Sequence, residues 1–296
     1  MENENIPEEE LLWSDVPEEE IPVKKKRSPV YGILLGAFLL VFLVSAVMVV
    51  RYMVGSRKAA QEYDQLASIL QSEQDKLDQD VPDNSTGGGQ DSSQGQVGTG
   101  ILPEYQTFYE MNDHLVGWIN VPDTVINYPV MQTPEQPNYY LKRNFYRESS
   151  DWGAIYAREE CNVFTPSDNV VLYGHRMNDG FMFAALHNFS SKAYWQEHQT
   201  FTFDTLYEHH TYRVWAVFRT SVIEGQGLAY HTFNDAENMA EFDQFVQDVR
   251  ELAFYDTGIV PTYGDKLLSL STCEYSSTQG RFVVCAVRVD AQWELE

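Results

Sequence analysis

An uninterrupted apolar segment near the N-terminus dominates the hydropathy pattern of the chain. Residues 30–50 contain no charged side chain. As an α-helix, this segment would span about 32 Å, which matches a bilayer core of about 30 Å. It is longer than the apolar part of a cleaved signal peptide. We therefore predict an uncleaved membrane-spanning helix over 30–50, with a cleaved signal peptide as the alternative.

The region before this segment is polar and sharply divided in charge. Residues 1–23 contain nine acidic residues and no basic residue, a composition typical of disordered tails. Residues 24–27 are Lys-Lys-Lys-Arg, and such a basic block marks the cytoplasmic side of a membrane span. We predict that 1–29 is a cytoplasmic tail and that the chain after the span is extracellular.

A helical pattern with a thin apolar face follows the span. Within residues 56–81, four apolar residues fall near one face at helical spacing: Tyr63, Leu66, Leu70 and Leu77. A weak self-association seam is one interpretation of this face. We favour the other, a polar spacer helix with a few apolar positions.

A change in composition marks the start of the folded domain. Residues 82–100 are rich in Gly, Ser and Gln, which predicts a flexible linker. We therefore assign 51–100 to a stalk and linker, and 101–296 to one folded domain.

Short apolar or alternating runs predict that this domain is mainly β. The predicted strands lie at 170–173, 200–206, 212–220, 266–271 and 281–289. One strong helical pattern covers 236–252, with Asn234 or Asp235 as its N-cap, and a shorter helix is predicted at 105–113. This α+β pattern favours a β-barrel-like domain decorated by helices.

Composition excludes several functional classes. The 296 residues include 20 basic and 44 acidic residues, a net charge of −24, which argues against binding to nucleic acid. Three cysteines are too few for a disulfide framework, and no zinc or calcium ligand pattern is present. The sequence therefore predicts neither a metal nor a cofactor.

Three residues at predicted strand ends are suited to nucleophilic catalysis. Cys273 ends one strand and Arg281 opens the next, so the thiol and the guanidinium are expected at the same end of neighbouring strands. A thiol needs a nearby base or cation to react as a thiolate, and Arg281 offers planar donors to an oxyanion. His175 follows an apolar strand and a glycine, and it can exchange protons with the thiol. The spacing predicts a hydrolase or transpeptidase.

Each of these side chains also has an ordinary structural interpretation. A lone cysteine is commonly a small buried apolar residue, and a loop histidine commonly makes a structural hydrogen bond. We assign that interpretation to Cys161 and Cys285. Two acidic neighbours, Glu159 and Glu160, would also raise the pKa of the Cys161 thiol.

Taken in order along the chain, these motifs resemble the signature of the sortase family, and specifically of a class B sortase. The catalytic part of the resemblance is LSTC at 270–273 with Arg281 after it, and YGHRM at 173–177. The similarity continues in VGWI at 116–119, INYPVMQ at 126–132, NYYL at 138–141 and DGFMFAAL at 179–186. It covers about 105–290.

The resemblance implies a fold and a set of catalytic roles. The fold would be an eight-stranded β-barrel with a long helix before the last strands. The activity would be cysteine transpeptidation, in the thiol peptidase class. Cys273 would be the nucleophile, His175 the general acid and base, and Arg281 the residue that stabilises the acyl-transfer intermediate.

The resemblance also implies a substrate and partners. Ser271, Thr272 and Glu274 would border the substrate. The substrate would be a secreted protein with a short sorting signal, usually cleaved after Thr. Its acyl group would pass through a thioacyl enzyme to an amine, typically on a cell-wall peptidoglycan precursor. No cofactor is implied.

Two alternatives stay open on the sequence. The enzyme could instead join pilins through a lysine amine, which uses the same three residues. A different class would be a membrane-anchored adhesion or scaffold module with an inactive site. The presence of Cys273, His175 and Arg281 together argues against the second alternative.

Overall fold

The computed structural model describes residues 29–79, 100–223, 225–274 and 279–289. The predicted acidic tail and most of the predicted Gly/Ser-rich linker lie outside these ranges. The chain divides into two compact units, Met1–Tyr52 and Met53–Glu296.

The first unit contributes the beginning of a long helix, α1 (Pro29–Gln79). Its residues 30–52 are almost all exposed and include the apolar segment. Within the described residues, Val30–Gln79 is the one helix whose length and composition would allow it to cross a membrane. The predicted N-terminal apolar helix is therefore present.

The second unit is built on a closed barrel of eight strands. They are β1 (Leu115–Asn120), β2 (Asn127–Met131), β3 (Ile155–Ala157), β4 (Asn169–Tyr173), β5 (Thr200–Thr205), β6 (Thr211–Ser221), β7 (Leu267–Glu274) and β8 (Gly280–Val289). Their order around the barrel is β1-β2-β3-β4-β7-β8-β6-β5. Neighbouring strands are antiparallel except for the parallel pairs β2–β3 and β4–β7. The predicted eight-stranded barrel is confirmed.

Side-chain periodicity explains why these segments form the barrel wall. In β5, every second residue faces the core, and both Phe201 and Phe203 are buried. In the middle of β8, residues on both faces are buried, from Phe282 to Val287. A continuous apolar run of this kind is typical of a strand covered on both sides.

Shorter helices decorate the barrel. The α-helices are α2 (Pro103–Met111), α3 (Lys192–Glu197) and α4 (Met239–Leu252), and the 3-10 helices are Tyr139–Lys142, Phe183–Ser190 and Tyr230–Thr232. α4 is the predicted long helix that precedes β7 and β8. Its buried face consists of Phe242, Phe245, Val246 and Val249.

The N-terminus of α4 differs from the prediction. Asn238 is the N-cap, and its side chain accepts a hydrogen bond from the Glu241 amide. Asn234 and Asp235 instead bind the loop between β3 and β4. The Asn234 amide oxygen accepts from the Cys161 thiol, and the Asp235 carboxylate accepts from the Asp168 amide at 3.0 Å. These tertiary partners explain why the two earlier candidates do not cap the helix.

The second part of α1, residues 53–79, belongs to the second unit. It is not a free spacer, so the interpretation of 56–81 as a polar spacer is corrected. Tyr63, Leu66 and Leu70 are 5%, 0% and 6% exposed because they pack into the core of the second unit. Leu77, further along, is 39% exposed. Burial of three large side chains is strongly favourable, so the seam packs against its own barrel.

An ion pair between an exposed histidine and two largely buried carboxylates links α2 to the hairpin between β5 and β6. The His209 ring lies between the Asp204 carboxylate at 2.8 Å and the Glu104 carboxylate at 3.2 Å. Hydrogen bonds from the His209 ring to Asp204 and to Glu104 raise the pKa of His209 to about 10, so the ring is charged at neutral pH. The Tyr105 hydroxyl also donates to Asp204. These contacts tie α2 to the β5–β6 hairpin.

Candidate active site

The last two strands bring the predicted nucleophile and the predicted cation together. β7 extends beyond the predicted end at residue 271, and in the antiparallel β7–β8 pair Cys273 lies directly opposite Arg281. Both residues are partly exposed. Nη1 of Arg281 donates a hydrogen bond to the Gly280 carbonyl oxygen at 3.0 Å. A thiol and a guanidinium therefore share one edge of the barrel.

The parallel pair β4–β7 brings His175 to the same edge. Tyr173 pairs with Ser271, and the Gly174 amide donates to the Ser271 carbonyl at 3.1 Å. His175 follows just beyond the end of β4, and it lines the same cavity as Cys273. A Cβ atom on Gly174 would lie 2.6 Å from the Phe183 ring, so glycine lets the chain before His175 pack closely against that ring.

Hydrogen bonds orient the imidazole of His175. Its Nε2 lies 2.7 Å from the Leu141 carbonyl oxygen, and the Phe183 amide donates to the His175 carbonyl at 2.9 Å. Because a carbonyl only accepts, Nε2 carries the proton of the neutral ring and Nδ1 keeps its lone pair. Burial lowers the pKa of His175, although the Leu141 bond acts in the opposite direction, and nearby Lys142 lowers it further. The ring is therefore neutral at neutral pH and can act as a base.

A cavity of about 410 Å³ opens over these three residues. Its walls come from the strand ends and from the loops around them. Besides His175, Cys273 and Arg281, the lining includes Asn138, Leu141, Tyr156, Arg158, Glu159, Glu160, Tyr173, Val222 and His231. The residues that line this cavity thus include two arginines and two glutamates.

Two of these lining residues carry chemistry that the sequence analysis missed. Arg158 pairs with Glu160 at 2.9 Å through Nε, and its buried Nη1 has no partner among the described residues. The pKa of His231 is lowered by burial, then by Arg158 and Arg281. A bound substrate can satisfy such unpaired donors.

The residues predicted to border the substrate differ in their placement. Ser271 and Thr272 both line the cavity. The Ser271 hydroxyl is 2.6 Å from the buried Tyr230 hydroxyl, so it is already engaged. Strand alternation directs the Thr272 side chain to the face opposite Cys273. The side chain of Glu274 lies outside the described residues.

The other two cysteines are packed in the interior. Cys161 and Cys285 are 4% and 1% exposed, and all three cysteines are free. Burial raises the pKa of the Cys161 thiol to about 11 and that of Cys285 to about 12. For Cys161, burial is the largest cause of the raised pKa, and Glu160 raises it less. Neither thiol is accessible as a nucleophile.

The chemistry available at this site is acyl transfer through a thiol. A neutral imidazole, a partly exposed thiol and a guanidinium converge on one cavity, which are the parts that thiol-dependent acyl transfer requires. Over the ranges that the structure describes, no group of three or more His, Cys, Asp or Glu residues is arranged to hold a metal ion.

Known proteins share this fold and this sequence pattern. The sortase domain family model matches residues 119–289. Sortase B of Staphylococcus aureus is 28% identical over 188 residues, which are 63% of this chain and 75% of that protein. Sortase B of Listeria monocytogenes is 27% identical over 197 residues, 66% of this chain and 77% of that protein.

The solved structures agree with this result at the level of the fold. A Staphylococcus aureus sortase B–substrate complex matches with a TM-score of 0.67 at 24% identity. The match covers 80% of this chain and 99% of that one.

Proposed function

Because the chain belongs to the sortase family, with class B sortases as its relatives, we propose that Cys273, His175 and Arg281 carry out its reaction. The chain is a cysteine transpeptidase that acts on cell-surface proteins. The observation that carries the assignment of residues is the strand register. It pairs Cys273 with Arg281, and it places the end of β4, which His175 follows, beside β7, so that all three residues line one cavity.

In the first half of the proposed reaction, the thiol becomes an acyl carrier. Nδ1 of His175 takes the thiol proton, and the Cys273 sulfur attacks the carbonyl carbon at the end of a sorting signal. Arg281 stabilises the oxyanion of the tetrahedral intermediate. The C–N bond then breaks, and the leaving amine takes the proton from His175. A thioester on Cys273 remains.

In the second half, an amine replaces the thiol. The incoming amine loses a proton to His175 and attacks the thioester carbonyl. A second tetrahedral intermediate forms, again with its oxyanion next to Arg281. When the C–S bond breaks, the proton returns to the sulfur of Cys273. The product is a new amide bond, and the enzyme is regenerated without a cofactor.

We propose that α1 anchors this enzyme in the cell membrane. In this arrangement, 1–29 is a cytoplasmic tail, 30–50 spans the bilayer, and 101–296 is extracellular. The apolar segment of α1 and the basic block before it support this topology. Protease added to intact protoplasts should remove the catalytic domain. Protection of that domain from the protease would indicate the opposite orientation in the membrane.

The proposed acceptor is an amine of the cell-wall peptidoglycan precursor. A peptide-library assay on the full chain in detergent, with and without amine acceptors, tests both halves of the reaction. We expect cleavage of a subset of peptides, a thioacyl adduct on Cys273, and a new amide only when an amine is present. A strong preference for lysine-containing pilin peptides would favour pilin polymerisation. No cleavage and no adduct would point to an inactive scaffold.

A further inference from the structure

The second part of α1 makes a buried hydrogen bond to the loop before β3. The Tyr63 hydroxyl donates to the Gly153 carbonyl oxygen at 2.7 Å. The Tyr63 side chain is 5% exposed, and its ring packs edge-on against the Tyr128 ring at 5.1 Å between centroids. This bond joins residues 90 positions apart along the chain, so it ties α1 to that loop.

Gly153 in turn packs against the imidazole of His175. It has a φ of +62°, and a Cβ atom there would lie 3.2 Å from His175 Cδ2. The same Cβ atom would lie 2.8 Å from the Leu141 carbonyl oxygen. That oxygen is the partner of His175 Nε2. Gly153 therefore packs against both the ring and the group that orients the ring.

A second contact of α1 reaches the segment that follows the histidine along the chain. The Ser56 hydroxyl donates to the Asp179 carboxylate at 2.7 Å, and Trp152 Nε1 donates to the same oxygen at 2.9 Å. Asp179 lies four residues after His175, and Trp152 directly precedes Gly153. α1 thus contacts both the loop that packs against the imidazole and the segment that follows His175 along the chain.

We infer that residues 56–63 of α1 are a positioning element of the active site, in which Tyr63 holds His175 through Gly153. This inference rests on the proposed role of His175 as acid and base. It extends the catalytic machinery into a helix that the sequence pattern assigns to a spacer. Catalysis is sensitive to such support, because a misplacement of about 1 Å can cost about 10²-fold in rate.

The test variant is Tyr63→Phe in the full chain in detergent. It removes one hydroxyl and leaves the buried Gly153 carbonyl without that donor. We expect acylation of Cys273 to slow by roughly 10-fold or more with KM little changed. We also expect the acid limb of the pH–rate profile to move towards the ordinary imidazole pKa of about 6.5, because a looser wall exposes the ring to water.

Two control variants on α1 separate positioning from stability. Ser72→Ala also removes one hydroxyl, but that hydroxyl is exposed and bonds to the Ile69 carbonyl of the same helix. It should leave the rate and the thermal midpoint unchanged. Leu70→Ala removes buried packing from the face that carries Tyr63. It should lower the thermal midpoint while keeping the acylation rate and pH profile below the unfolding temperature.

The outcomes distinguish this inference from the proposed function. A Tyr63→Phe enzyme with wild-type acylation and pH profile would overturn the inference, even while the wild type still acylates Cys273. If Leu70→Ala lost acylation to the same extent and with the same pH shift, the effect would belong to the packing of the helix and the role of Tyr63 would be wrong. If the wild type forms no adduct on Cys273, the proposed function itself fails.

Discussion

Cys273→Ala is expected to abolish turnover while leaving the protein folded. The thiol supplies the only covalent attachment point in the proposed reaction, so neither cleavage nor transfer can proceed without it. Removal of the nucleophile from an acyl-transfer enzyme costs on the order of 10⁶-fold in rate. Cys273 is partly exposed at a strand end, so a smaller side chain there leaves no buried cavity.

The other two cysteines provide matched controls for this experiment. Cys161 and Cys285 are buried, and their thiols have raised pKa values of about 11 and about 12. Cys285→Ala should lower the thermal midpoint, because the Cys285 sulfur packs 3.4 Å from the Ser269 hydroxyl. It should keep the thioacyl adduct in mass spectra. Substantial turnover by Cys273→Ala would show that the nucleophile is another residue.

The barrel could be predicted from the sequence where its strands are long or continuously apolar. β4 to β8 stand out because burial on one or both faces leaves a clear periodicity. β3 has three residues, which is too short to show a period, so it was missed. The segments of β1 and β2 stand out only in the family resemblance, as VGWI at 116–119 and INYPVMQ at 126–132. Short strands depend on their neighbours in the barrel, and that information is not local.

The role of α1 shows a second limit of sequence patterns. The seam of Tyr63, Leu66 and Leu70 was visible, but its partner was not. A helical apolar face predicts that something covers it and does not identify the cover. Here the cover is the core of the barrel and the loop before β3, where Gly153 lies 90 residues from Tyr63 along the chain.

The predicted catalytic residues were found because each lies at a strand end next to a distinctive neighbour. Glycine precedes His175, and LST precedes Cys273. Arg158 and His231 have no such local mark. Arg158 follows the short β3, and His231 lies in a 3-10 helix, so only the tertiary fold brings them into the cavity. The catalytic roles themselves stay predictions.

His175→Ala is expected to cause a loss as large as that of the nucleophile. In an acyl-transfer enzyme, removal of the base costs about as much as removal of the nucleophile, on the order of 10⁶-fold, because the two act as a unit. The thiol must lose a proton, the leaving amine must gain one and the incoming amine must lose one. In the proposed mechanism, His175 serves all three steps.

Arg281→Lys is the informative comparison for this variant. Lysine keeps the positive charge and loses the planar pair of donors. Loss of one oxyanion donor costs roughly 10²–10³-fold, so this variant should still form the adduct slowly. If Arg281→Lys acylates more slowly than His175→Ala, proton transfer belongs to another group. His231 is then the first candidate, because it lines the same cavity.

The pH dependence of the acylation rate in the wild type and in both variants tests the protonation state of His175. Burial lowers the pKa of His175, so its neutral form persists below the ordinary imidazole value of about 6.5. The rate of acylation by the wild type should therefore fall with decreasing pH only below that value. Arg281→Lys should keep this acid limb, because it leaves the imidazole in place, whereas His175→Ala should lose it. The measurement is single-turnover acylation, followed by mass spectrometry across a range of pH. A His175→Ala enzyme whose acylation rate still falls at low pH in the same way would exclude His175 as the titrating base.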